Sequence, residues 1–275
     1  MSVKIIATDL DGTLMAPDHL TVTERTKNAL YNAHKNGVKI AIATGRTLAF
    51  IDYVVNQIPF VDYIIHSNGA AVFDRKNNEY IYTNLVSPEI TEKAVELLNS
   101  MPVYYNIYVD GNTYVQNGTE KFYLNDGLPE AFIAEFSAKS KWCDNLAQEV
   151  KGKGSELIDV FYNNEEQKEA VFSFFRENNV FMTSALAGVV SGTAMGSDKG
   201  TALGGLCKKL GILPEEAMTF GDASNDATML EFAGYSFAME NGDEICKKAA
   251  KYSAPSNADD GVAVMVEKYV LNGDK

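Results

Sequence analysis

Residues 3 to 14 read VKIIATDLDGTL, an apolar run that ends in two aspartates one residue apart and then in glycine and threonine. Val3 to Ala7 has the composition of a buried strand, and a buried strand that delivers two carboxylates to one spot demands compensating charge there. A plain hairpin turn is disfavoured, because no alternating partner strand follows Asp11-Gly12 and TLMAPDHL reads as loop.

The flanking sequence repeats this texture. Thr21 and Glu24 have capping-box spacing, Ala29, Leu30 and Ala33 form a helical stripe, and Gly37 suits a helix stop. VKIAIATGR is a second apolar strand, a helix is predicted from about Thr47 to Gln57 before Pro59, and YIIHSNGA is a third strand. Near the C-terminus, TALGGLCKKLG puts Leu203, Leu206 and Leu210 on one helical face with Gly211 as cap, AMTFGDASND is a strand entering polar residues, and GYSFAM and GVAVMVEKYVL continue as strand and helix. Strands that are nearly continuously apolar and alternate with helices predict a parallel, doubly covered α/β sheet.

Between Leu85 and Ala187 the pattern changes. YNIYVDGNTYVQ alternates around Asp110-Gly111 as a hairpin does, ELIDVFY reads as a strand, and QKEAVFSFFREN reads as a helix whose aromatic side faces a core. This predicts a second, α+β domain at 85–187, inserted into a core formed by 1–84 and 188–275. KGKGS at 151 to 155 lacks the spacing of a phosphate-binding P-loop and reads as a loop.

Ligands of open α/β sheets bind beyond the carboxyl ends of the strands. Asp9 and Asp11 follow the first strand, Thr44, Gly45 and Arg46 the second, and Asp222, Asn225 and Asp226 the strand ending at Phe220, so parallel strands would bring these clusters to one rim. DLDGTL, ATGR, SDKGTAL and GDASND, in that order, resemble the four motifs of the haloacid dehalogenase-like phosphatases, and the long insertion resembles the cap of their Cof-type branch, subclass IIB. The match spans Val3 to about Asn84 and again from about Ala194 to Tyr269. VSGTAMGSDKG lacks the acidic residue that the family pattern carries several positions before Lys199, and Glu240 stands where the family commonly has glycine.

The resemblance implies a Rossmann-like core with an inserted cap and a Mg²⁺-dependent phosphatase. Asp9 would be the nucleophile, and Asp11, kept protonated by acidic neighbours, the general acid and base. Thr44, Gly45, Lys199 and Asn225 would bind phosphate. A carboxylate approaching a phosphate dianion at roughly 4 Å meets a repulsion of about 8 kcal/mol at an effective dielectric of about 20. A cation held by Asp9, Asp222 and Asp11, the last through its main-chain carbonyl, would offset it, and all-oxygen ligands favour Mg²⁺. Arg46 would contact substrate or pair with a core carboxylate, and Asn68 would contact substrate or only form a turn. Asp226 would support the site or simply begin the next helix.

The formal net charge of -13 disfavours nonspecific nucleic acid or anionic membrane partners. Cys143, Cys207 and Cys246 form neither a disulfide framework nor a zinc site, and His19, His34 and His66 have no ligand spacing. With no signal peptide or membrane span, a cytoplasmic location is expected. The expected substrate is a small phosphorylated metabolite, with sugar phosphates leading. A phosphosugar mutase-like transferase, or a metabolite-binding regulator on the same scaffold, is the alternative. The oligomeric state is not encoded in any motif.

Overall fold

The structure, a computed structural model, describes residues 2–123, 130–183 and 188–272. The chain divides into two units. The first comprises residues up to Arg46, Ile51–Thr83 and residues from Asp198 onward. Its elements are β1 (Ile5–Thr8), α1 (Glu24–Lys35), β2 (Lys39–Ala43), α2 (Asp52–Gln57), β3 (Tyr63–His66), β4 (Ala71–Asp74) and β5 (Glu79–Thr83).

The second unit comprises Thr47–Phe50 and Asn84–Ser197. It contains α3 (Pro88–Asn99), β6 (Tyr104–Val109), β7 (Asn112–Gln116), α4 (Glu130–Lys139), β8 (Lys141–Cys143), α5 (Leu146–Glu149), β9 (Leu157–Phe161), α6 (Glu165–Glu177), β10 (Val180–Thr183) and β11 (Val189–Ala194). The chain then returns to the first unit with α7 (Lys199–Leu210), β12 (Ala217–Gly221), α8 (Ala227–Phe232), β13 (Tyr235–Met239), α9 (Glu244–Ala249), β14 (Tyr252–Ala254) and α10 (Gly261–Val266).

The first unit is built on one sheet of order β14-β13-β12-β1-β2-β3-β4-β5. It is parallel from β14 to β3, as continuous apolar strands require, and Ile5, Ile6, Ala7, Ile40, Ala41 and Ile42 are fully buried within it. The register of Ile5 against both Ala217 and Lys39 sets the ends of β1, β2 and β12 side by side. Beyond β3 the sheet turns antiparallel through β4 and β5, a hairpin that the sequence reading missed. VFDRKNNEYIYT turns through Asn78 at positive φ without an Asn-Gly or Asp-Gly signal.

Two helix starts differ from expectation. Thr23, not Thr21, caps α1, its hydroxyl accepting from the Thr26 amide, while the Thr21 hydroxyl donates to Asp18. The helix predicted over 47–57 is broken at Ile51 into a short turn, Leu48–Phe50, and α2.

The second unit has a sheet of order β10-β11-β9-β6-β7-β8. Asp110 and Gly111, both at positive φ, form the tight turn between β6 and β7. One sheet face, carrying Tyr105, Ile107, Ile158, Val160 and Val190, packs on Val95 and Leu98 of α3 and on Val171 and Phe175 of α6. The expected boundary after Ala187, a residue outside the described ones, moves to 197/198. The cause is β11, which pairs with both β9 and β10 and so belongs to this sheet.

His66 closes β3 fully buried, its ring 5.7 Å from that of Tyr80, and burial pushes its pKa down to about 3 from 6.5. The unfolded chain protonates this ring near neutrality and the folded chain does not. Its contribution to stability is therefore complete above about pH 6.5 and is lost as pH falls toward 3. In denaturant titrations at successive pH values below 6.5, the native protein should lose about 1.4 kcal/mol per pH unit more than His66→Gln. Equal losses would refute the assignment.

Candidate active site

The rim beyond β1 and β12 is organised by a buried lysine. Lys199, the first residue of α7, is fully buried, and its Nζ lies 2.7 Å from Asp9 Oδ1 and 2.6 Å from Asp226 Oδ1. The other Asp226 oxygen, Oδ2, accepts from the main-chain amides of Asp222 and Ala223, each at 3.0 Å. Asp226 also begins α8, so both roles left open for it are present. The Asp9 amide donates to Phe220 across the parallel pair, which fixes where its carboxylate emerges.

Gly12 lets Asp222 close on this centre. It sits at φ +78, and a Cβ there would lie 2.3 Å from Asp222 Oδ2. Thr13 donates to Asp222 Oδ1 at 2.6 Å, and Asn241 donates to the Gly12 carbonyl at 2.8 Å. The DGT sequence thus folds as it does because glycine turns the chain and threonine catches the second acid.

Asp9, Asp222 and Asp226 each offer a carboxylate oxygen, and these oxygens lie within 4.8 Å of one another. Both oxygens of Asp226 are already engaged, so Asp9 and Asp222 are the acids with lone pairs to give, and an all-oxygen set suits a hard divalent cation. Burial pushes Asp9 up to about 8 against the pull of Lys199, with Asp226 and Asp222 adding to the rise. Burial likewise raises Asp222 to about 6, opposed by the Thr13 hydrogen bond. Burial would lower the Lys199 ammonium, but Asp226 and Asp9 hold it above its ordinary range.

Asp11 differs from expectation. Its carboxylate takes Arg46 Nε at 2.8 Å and Nη2 at 2.7 Å, so its closest charged partner is a guanidinium rather than an acid. His19 Nδ1 stands 3.4 Å away. Arg46 Nη1 donates to Tyr53 at 2.7 Å, which steadies the fork. Of the two roles left open for Arg46, pairing with a carboxylate is the one present. The third carboxylate of the acidic cluster is that of Asp226, alongside the expected Asp9 and Asp222.

Thr44 is buried beside this centre, its Oγ1 accepting from the Arg46 amide and its carbonyl from the Asn68 amide. Asn68 Oδ1 lies over Gly45 and accepts from Asn225 Nδ2 at 3.0 Å. Gly69, at φ +91, lets this loop lie against the start of α7, since a Cβ there would meet the Asp198 carbonyl at 2.2 Å. Thr13, Tyr53 and Asn241 were not expected from the sequence. Only Thr13, inside the DGT motif, carried a signal in the sequence.

A doubly wound sheet whose adjacent strand ends hold paired acids around a buried lysine defines an α/β enzyme of Rossmann-like build. Residues 6–266 match the family described as haloacid dehalogenase-like hydrolase, and the chain belongs to it. Phosphatase YwpJ of Bacillus subtilis is 28% identical over 96% of this chain and 99% of its own. The 5-amino-6-(5-phospho-D-ribitylamino)uracil phosphatase YcsE of B. subtilis is 26% identical over 98% and 97%. The solved HAD subclass IIB sugar phosphatase BT4131, 26% identical, superposes with a TM-score of 0.77 over 97% of this chain and 99% of that one.

The raised acids predict how the metal-free protein titrates. A folded Asp222 keeps a proton that the unfolded chain has lost, so its contribution to stability is greatest below about 3.8 and disappears as pH rises through about 6. With chelator present, Asp222→Asn should raise the melting temperature relative to the native chain at about pH 8 more than at about pH 4. An equal shift at both would contradict this titration.

Proposed function

We propose that the chain is a Mg²⁺-dependent phosphomonoesterase of small phosphorylated metabolites, working in the cytoplasm through an aspartyl-phosphate intermediate. The observation that carries this reading is the buried Asp9–Lys199 contact of 2.7 Å beside Asp222, which holds a nucleophilic carboxylate in a fixed orientation. Sugar phosphates lead as substrates, supported by the subclass IIB sugar phosphatase among the similar structures. The three free cysteines accord with a reducing compartment, and no helix among the described residues is long and apolar enough to cross a membrane.

Asp9 attacks phosphorus in line, the phosphorus–oxygen bond to the alcohol breaks, and Asp11 gives its proton to that oxygen. Water then attacks the phosphoryl-Asp9, Asp11 takes a proton back, and free phosphate leaves as Asp9 is restored. Lys199 offsets charge on Asp9 and phosphate throughout, while Thr44, Gly45 and Asn225 position phosphate oxygens. Asp9, Asp222 and the main-chain carbonyl of Asp11 would hold Mg²⁺, which supplies charge neutralisation when bound. Asp11 is free to carry a proton only once Arg46 releases it, and an arriving phosphate dianion is the partner that would draw the guanidinium away. The inserted unit would act as a cap that selects the alcohol, a role assigned by analogy.

Phosphate release from a panel of phosphorylated metabolites should require Mg²⁺ and stop with chelator. Asp11→Asn should lower kcat by roughly a hundredfold or more with little change in KM. Unchanged turnover in that variant would refute the proton-transfer role, and turnover unaffected by chelator would refute the metal.

A further inference from the structure

The inserted unit carries a cavity of about 350 Å³ on the sheet face opposite its helix-packed core. Strand alternation builds it, since Tyr104, Asn106 and Tyr108 share one face of β6 while Tyr105 and Ile107 point into the core. Across the sheet, Asp159 pairs in register with Asn106 on one side and with Ser191 on the other. These three residues make a polar row across β6, β9 and β11.

The rest of the lining is mainly aromatic. Tyr104, Tyr123 and Phe161 meet edge to face with ring centroids 5.1 to 5.4 Å apart, and Trp142 lines the same space. A polar row on such a wall is costly unless it is satisfied. Asn106 is 1% exposed, and its Oδ1 has no hydrogen-bond partner. Asp159 accepts from the Ser191 hydroxyl and, at 2.7 Å, from Tyr108, so the hydrogens of both hydroxyls are already spent. Burial pushes the Asp159 carboxyl upward, with those two hydroxyls opposing.

What remains in the row is mostly acceptor capacity: the Asn106 carbonyl and the outer lone pairs of Asp159. Of the other polar groups at the wall, Glu120 is also an acid and Ser137 is a neutral hydroxyl, and among the described residues no basic side chain lines the cavity. A phosphate or carboxylate group would be repelled. A sugar or polyol displays hydroxyls all around its rim and needs polar partners on several sides. Here the buried polar row lies on one wall and flat rings occupy much of the rest, so the complementary ligand presents an N–H-bearing edge to that row and apolar faces to the rings.

We propose that this cavity binds a planar, N–H-donating heterocycle of one or two fused rings, held edge-on by Asn106 and Asp159 and packed on the aromatic side chains. The proposal goes beyond the phosphatase reading and stands independently of it, because it concerns binding by the inserted unit alone.

Trp142 is the single tryptophan of the chain and reports on the site directly. Its fluorescence in the full-length protein is to be titrated with 5-aminouracil and lumazine, and with ribitol and glucose as polyol comparators. Saturable quenching by at least one heterocycle, with none by the polyols, is expected. Asn106→Leu, which removes the unpaired acceptor while keeping the branching at Cγ, should weaken heterocycle binding about tenfold while leaving the melting temperature unchanged or higher. Ser191→Ala supplies a second variant if Asn106→Leu fails to fold, and by altering the setting of Asp159 it should also shift affinity. Polyol binding equal to or tighter than heterocycle binding, no saturable heterocycle response, or unaltered affinity in the folded variants would overturn the proposal.

Discussion

The site depends on one ammonium group placed where water cannot reach it. Lys199 is fully buried between Asp9 and Asp226, and each of the three is costly to bury without the others. Asp226 is also tied by two amide hydrogen bonds to the loop that presents Asp222. The cation thus does more than balance charge. It joins the end of β1, the start of α7 and the β12 loop, three segments from opposite ends of the sequence, so the position of one acid constrains the other.

That arrangement leaves the centre short of positive charge. Among the described residues, the lysine and arginine side chains that Asp9, Asp11, Asp222 and Asp226 meet around this rim are Lys199 and Arg46, with His19 farther off at 3.4 Å from Asp11. Asp9 rises to about 8 and Asp222 to about 6 because burial penalises their charged forms more than the lysine relieves them. The excess amounts to two negative charges when all four acids are ionised, which is the charge of one divalent cation. On the proposed reading, the raised acids and the need for a metal are a single electrostatic fact.

The sequence made the parallel sheet legible because β1, β2 and β12 are almost wholly buried and carry nearly continuous apolar runs. The three clusters at their ends followed from topology alone. The β4 and β5 hairpin was hidden because its edge strand, EYIYT, is only partly buried and its turn lacks the usual dipeptides. The boundary of the insertion was misplaced for a related reason. VVSGTA breaks its apolar run with serine and glycine, and its membership in the second sheet rests on pairing with residues distant in sequence.

The same distinction separates what was and was not legible in the candidate site. Asp9 and Asp222 stand in motifs, so short-range sequence located them. The partner of Asp11 could not be located that way, because an ion pair between residues 35 apart leaves no local pattern. Arg46 emerges from β2 and Asp11 from the loop after β1, so their meeting follows from the neighbouring placement of these strands and from Tyr53 holding the guanidinium. A bidentate pair of this kind competes directly with an anion for the same fork of donors. On the proposed reading, the acid that transfers the proton is restrained by a side chain suited to receive a phosphate, which would make the resting contact itself sensitive to the charge of the substrate.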